Sequence, residues 1–289
     1  KQQILLARAL SHQCRFLILD EPTAPLDQHE SEQLFRVVRH LQQQGIGVVF
    51  ISHRIHELKT ICDQLTVLRD GKLIETTRMD ALSGEQIVEK MIGHTLNDLY
   101  PPPRPAHSTQ QLLSVEGLHD KNLLRDISLT LHKGEILGIA GLAGAGKTEL
   151  CKALFGASKS KLTRSQLHGK PWKPRSPADS VAAGIALVPE ERRKEGIFID
   201  ESVAMNLSVS ADDRFSSHGF FSVKQSVQWA QQIISKLAVK SRGPQQILRR
   251  LSGGNQQKVA IGKWLASESD ILIFDEPTKG VDVKAKSDL

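Results

Sequence analysis

Phe16-Leu17-Ile18-Leu19-Asp20-Glu21-Pro22-Thr23 returns 255 residues later as Ile271-Leu272-Ile273-Phe274-Asp275-Glu276-Pro277-Thr278. The flanks return too, Ala9-Leu10 with Trp264-Leu265 and Leu26-Asp27 with Val281-Asp282. Four apolar residues running into two acids and a proline read as a short buried strand ending at a turn. A period of 255 in a chain of 289 residues leaves room for two partial copies only. Residues 1–98 are expected to hold the back of one unit and 111–289 the front of the next. Between them, 99–110 contains Tyr100-Pro101-Pro102-Pro103-Arg104-Pro105, a short semi-rigid linker that cannot be helix or central strand.

Outward from the repeat, the pattern alternates. Residues 2–11 read as helix, 16–19 as strand, 30–44 as helix, 47–51 as strand and 55–62 as helix. The strands are continuous apolar runs, which predicts an α/β fold with a parallel sheet covered on both faces. Arg69-Asp70-Gly71-Lys72 signals a hairpin between two further strands. In the second part, 112–118, 127–131 and 135–140 read as strands.

The last of these runs into Gly141-Leu142-Ala143-Gly144-Ala145-Gly146-Lys147-Thr148, which fits G-x-x-x-x-G-K-[ST], followed by a helix over 148–155. Glycines let the backbone turn so that successive N–H groups face a phosphate. The helix start adds about half a positive charge. Lys147 is expected to reach the β- and γ-phosphates of a nucleotide, and the Thr148 hydroxyl to ligate magnesium. Asp275 and Glu276 end a strand 128 residues beyond Lys147, which delivers them to the same carboxyl edge of the sheet. The first acid can hold magnesium and the second can polarise an attacking water. Asp20 and Glu21 take the same roles by repetition.

Composition narrows the class. Hydrophobic residues make up 39% and charged residues 24%, ordinary values for a globular protein. No apolar run approaches a membrane span, and the first residues carry no signal-peptide core. Three scattered cysteines form neither a disulfide framework nor a metal site and suit a reducing cytosol. The net charge of +6 is dispersed and a single tyrosine is present, which argues against nucleic acid.

Leu251-Ser252-Gly253-Gly254-Asn255-Gln256-Gln257-Lys258, ahead of a helix expected over 259–266, carries a resemblance that covers essentially the whole chain. The sequence resembles the ATP-binding-cassette (ABC) family, whose fold is a P-loop NTPase core with an antiparallel β subdomain and a helical subdomain. The resemblance implies ATP and Mg2+ as cofactors. It places Ser252, Gly253, Gly254 and Gln256 against the γ-phosphate held by the opposite unit, and makes His53, 32 residues past Glu21, the switch histidine. Leu26-Asp27 and Val281-Asp282 resemble loops that communicate across the cassette dimer. Glu190 stands where the family usually has a glutamine that senses magnesium and the membrane partner. No aromatic residue stands out between Leu118 and Asp126 to stack on adenine, so base recognition is expected either to be weak or to come from His119.

Met91-Ile92-Gly93-His94 and Pro189-Glu190-Glu191-Arg192-Arg193-Lys194 look like tandem-cassette bacterial importers of ribose, galactose, xylose or arabinose. That implies an ATPase peripheral to the cytoplasmic face of the inner membrane, working with permease subunits and a periplasmic sugar-binding protein, and with room for a second ATPase copy. Two alternatives stay open. One is an importer of the same build for a nucleoside or signal molecule. The other is a soluble tandem cassette acting on the ribosome, against which the short linker argues. The second switch position falls near 308, past Leu289, so neither composite site is complete within these residues and negligible turnover is expected.

Overall fold

The computed structural model describes residues 14–23, 26–93, 108–217, 219–281 and 283–289. The expected helix 2–11, most of the linker and Asp282 lie outside the described residues. Contacts divide the chain into two compact units, Lys1–Pro102 with Asp282–Asp288, and Pro103–Val281 with Leu289. The division falls inside the stretch read as linker.

In the first unit, strand β1 (Phe16–Asp20) pairs in parallel with β2 (Gly47–Ile51). Helix α1 (Gln28–Gln43) joins them. Its start is fixed by a capping box, in which Asp27 accepts from the Glu30 N–H and Glu30 reaches back to Asp27. Leu34, Val38 and Leu41, spaced four and three apart, form its buried stripe. Helix α2 (Ile55–Ile61), the hairpin β3 (Gln64–Arg69) and β4 (Lys72–Arg78), and helix α3 (Gly84–Ile92) follow, and the unit also takes in a short helix at Val283–Asp288. Helix α3 ends on Gly93 at φ 89°, the left-handed position that favours glycine.

The second unit has three parts. Strands β5 (Gln111–Leu118), β6 (Ile127–His132), β7 (Arg164–Leu167) and β8 (Lys170–Pro171) form an antiparallel sheet in the order β6-β5-β7-β8. Helix α4 (Lys147–Leu154) and helix α5 (Pro177–Ala182) flank a parallel pair, β9 (Ile185–Val188) with β10 (Ile271–Phe274). Leu113, Val115, Leu150, Leu154, Val188 and Ile271 belong to one apolar cluster that fuses these two parts. The third part is helical, α6 (Val203–Ser208), α7 (Val223–Lys236) and α8 (Gly253–Gly262), closed around Val203, Leu207, Ile233 and Val259.

Three expectations change. Each parallel sheet has two strands among the described residues rather than a sheet covered on both faces. Phe16 and Ile18 are consequently 56% and 59% exposed, whereas Leu17 between them is buried. Residues 135–140 form no strand: Ile136 is 71% exposed and no ladder bonds them. A ladder needs a neighbour: β1 gains its own from β2, whereas no described segment bonds 135–140. Residues 135–140 and β10 face each other across a cavity of about 720 Å3, lined by Leu129, Leu131, Ile136, Leu137, Leu272 and Phe274. Third, α8 begins at Gly253, six residues before its expected start, and passes into a 3₁₀ turn at Lys263–Leu265.

Candidate phosphate site and its acidic partners

Gly141, Leu142, Ala143, Gly144 and Ala145 are all exposed, and the loop turns on Gly144 at φ 78° and Gly146 at φ 93°. These two angles are why the motif needs glycine there. Gly146 is the N-cap of α4, so the amides of the helix's first turn open onto the loop. The Lys147 Nζ donates to the Gly141 carbonyl at 2.9 Å and pairs with Glu276 Oε1 at 3.0 Å. Thr148 Oγ1 donates to Glu190 Oε2 at 3.1 Å.

Asp275 is buried, and its N–H donates to the Val188 carbonyl at 3.0 Å, continuing the β9–β10 ladder by one residue. Burial pushes its carboxyl above the ordinary range. The nearby Thr148 hydroxyl partly offsets this, and the charges of Glu190 and Glu276 push it further up. Beside it, burial and then the Asp275 charge push the Cys151 thiol up to about 12, so this cysteine is an inert packing group. Glu276 is at φ 44°, a left-handed conformation unusual for a side chain other than glycine. Glu190 is held below the ordinary carboxylate range, first by its bond to Lys279 and also by Thr148.

The loop 251–258 lies mostly inside α8 rather than ahead of it. Ser252 is the N-cap, and its hydroxyl accepts from Asn255 Nδ2 at 2.8 Å. Gly253 and Gly254 form the first helical turn, the first of them half-buried and the second buried. A Cβ on Gly253 would lie 2.9 Å from Arg192 Nη2. Gln256 departs from the expected ligand-facing position. It is fully buried, donates to the Leu251 carbonyl at 2.9 Å and accepts from Arg193 Nε at 3.2 Å.

In the first unit, Asp20 ends β1 exposed. Glu21 follows at φ 45°, matching Glu276. Glu21 Oε1 contacts His53 Nδ1 at 2.7 Å and accepts the His53 N–H at 3.1 Å, so the acid and the histidine meet. The other oxygen, Oε2, is buried with no partner among the described residues. An orphaned carboxylate oxygen beside a histidine fits a group that awaits a water or ligand. Thr148, Asp275 and Asp20 offer hard oxygen donors, which fits magnesium. Exposed His119 is engaged by the Gly117 carbonyl at 3.1 Å. Asp27, read as part of a communicating loop, caps α1.

Sequence reasoning missed three residues. Glu57, 1% exposed, accepts from Thr23 at 2.6 Å and Ser52 at 3.2 Å and pairs with Arg54 at 3.0 Å. It thus ties the turn after Glu21 to the turn carrying His53. Nothing in one dimension marks it, since acids on helices are usually exposed. Arg192 donates through Nη1 to the Lys279 carbonyl at 2.8 Å, and Lys279 pairs with Glu190. A comparison of Thr278-Lys279 with Thr23-Ala24 would have singled out that lysine.

A glycine loop at a helix start, an acidic pair at a parallel strand's end and a glycine-started helix define a nucleotide-binding cassette. The profile of the family described as ABC transporter matches residues 124–279, and the chain belongs to that family. The fold is the mixed α/β cassette. A solved nucleotide-free ATP-binding cassette of an ABC transporter superposes with a TM-score of 0.51 at 22% identity, covering 62% of this chain and 74% of that one. Among curated relatives, the ribose/galactose/methyl galactoside import ATP-binding protein 3 of Burkholderia cenocepacia is 43% identical over 99% of this chain and 56% of its own length. The ribose import ATP-binding protein RbsA of Lacticaseibacillus paracasei is 40% identical over 100% of this chain and 58% of its own. The chain thus spans little more than half the length of these relatives.

Proposed function

We propose that this chain is part of the ATP-binding and ATP-hydrolysing subunit of an importer, with a monosaccharide as cargo. The observation that carries the reading is the convergence of Lys147, Thr148, Glu190, Asp275 and Glu276 on one exposed glycine loop. The names of the relatives support the sugar, and none of the described helices is long and apolar enough to cross a membrane, which is compatible with a peripheral subunit. On this reading, permease subunits form the membrane path, a periplasmic sugar-binding protein delivers the cargo, and the subunit lies on the cytoplasmic face of the inner membrane. Residues 1–98 and 111–289 are then parts of two successive cassettes.

Bound ATP with its magnesium ion supplies the phosphoanhydride to be cleaved and a Lewis acid on the phosphate oxygens. The residues do the rest. Lys147 exchanges Glu276 for phosphate oxygen, which frees the Glu276 carboxylate to take a proton from water. Thr148 and Asp275 would hold the metal. The amides of Gly141–Gly146 and the start of α4 bear the phosphate charge. Ser252, Gly253 and Gly254 serve the γ-phosphate of the opposite cassette. In the first unit Asp20, Glu21 and His53 repeat the acid pair and its switch.

Equilibrium binding of MgATP tests this. The chain is expected to bind it, Lys147→Ala to weaken binding at least tenfold (roughly 1.4 kcal/mol or more), and turnover to stay negligible, because a γ-phosphate on this loop needs the glycine turn of an opposite cassette. Robust turnover abolished by Glu276→Gln would refute the composite arrangement. Co-purification of ribosomal RNA instead of a permease would favour the ribosomal alternative.

A further inference from the structure

Lys279 is the least expected member of the site. The residue 255 positions earlier is Ala24, so the strand-acid-acid-Pro-Thr frame does not itself call for a cation. In this copy the lysine pairs with Glu190 Oε1, while Glu190 Oε2 accepts from Thr148. Two residues beyond Glu190, Arg192 donates to the carbonyl of Lys279 at 2.8 Å, and Gly280 at φ 64° turns the chain away. Lys279 is therefore held by its backbone and its head to one short segment, 190–192.

The charges around the glycine loop explain what such a lysine does. Among the described residues, Asp275, Glu276 and Glu190 bring three carboxylates to a place that must accept a polyphosphate; without Lys279 the cations facing them are Lys147 and, further along the same helix, Lys152, which is itself paired with Glu195. Glu190 is also the departure from the family's neutral glutamine. A carboxylate there repels a phosphate and competes for the metal unless its charge is met. The counter-charge and the departure occur together.

We infer that Lys279 is a positioning cation for the phosphate site: it neutralises Glu190 and holds that carboxylate on Thr148, so that a nucleoside polyphosphate binds with less dependence on a divalent cation. The inference rests on the nucleotide-site reading given above. Without Lys279, Glu190 is free to repel the bare polyphosphate, and a divalent cation masks the repulsion.

The test is a four-variant cycle on the 289-residue chain: wild type, Lys279→Ala, Glu190→Gln and the double substitution. Each is titrated calorimetrically with ATP, once with excess EDTA and once with saturating Mg2+. Lys279→Ala is expected to weaken metal-free ATP about three- to fivefold more than MgATP, the scale of a partly exposed ion pair. In the Glu190→Gln background the same substitution should change that ratio less than about twofold, and Lys279→Arg should restore wild-type behaviour. A lysine that merely supports the fold would shift both affinities equally. An unchanged ratio, or the same change in both backgrounds, overturns the inference alone. A wild-type chain that binds ATP in neither condition overturns the site reading and this inference with it.

Discussion

Glu57 is a buried acid of the first unit. A carboxylate 1% exposed is costly to desolvate, and three partners offset that cost: Thr23, Ser52 and Arg54. Thr23 follows Glu21 in the chain and Ser52 precedes His53, so the buried acid fixes the two turns that bring Glu21 and His53 together. Glu57→Ala removes the acceptor and leaves the donors unmatched. We expect a loss of about 3 kcal/mol in chemical denaturation. A loss below about 1 kcal/mol would mean the turns hold without it. At the same scale, Glu21 and Glu276 share a left-handed backbone at φ 45° and 44°. Such a conformation costs on the order of 1 kcal/mol for a residue other than glycine, and it recurs at the second acid after each of the two strands.

Helix α8 joins the glycine turn to the interior, and its exit is held by a half-buried lysine. Lys263 Nζ donates to the Gly196 carbonyl at 2.6 Å and lies 4.7 Å from the centroid of the Trp264 ring. Burial brings its pKa down from 10.5 to about 8. The unfolded chain keeps this proton up to the higher value, so between those two pKa values it binds more protons than the folded chain. Stability therefore rises with pH across that window, by a total on the order of 3 kcal/mol, and is lowest below pH 8. Lys263→Met is expected to remove this component of the rise, measured as the difference between variant and parent in denaturation at pH 7.5 and pH 10. An unchanged slope would show that Lys263 is not the titrating group.

At the scale of the molecule, the parallel strands decide behaviour in solution. Phe16 and Ile18 in β1 and Leu272 and Phe274 in β10 are all more than 40% exposed, and the 720 Å3 cavity beside β10 is largely apolar. Open strand edges and apolar faces recruit other chains. We expect concentration-dependent aggregation of the isolated chain by light scattering, reduced by Phe16→Lys with Ile18→Lys. A soluble monomer with one sharp, cooperative melt would contradict this.

The chemistry-bearing elements were legible in one dimension because each is a local device. Glycines at 144 and 146, acids after an apolar run, and the Ser252 cap owe their geometry to a few neighbouring residues. The repeat extended that reading to Asp20 and Glu21. Tertiary structure decided what depends on distant partners. Residues 135–140 need a strand alongside to become a strand. Gln256 went to the interior because Arg193 and the 248–251 turn await its amide. Glu57 became a buried hub and Lys279 met Glu190 across 89 residues. Local sequence sets backbone conformation through sterics and capping, whereas ladders and ion pairs exist only once remote segments are brought together.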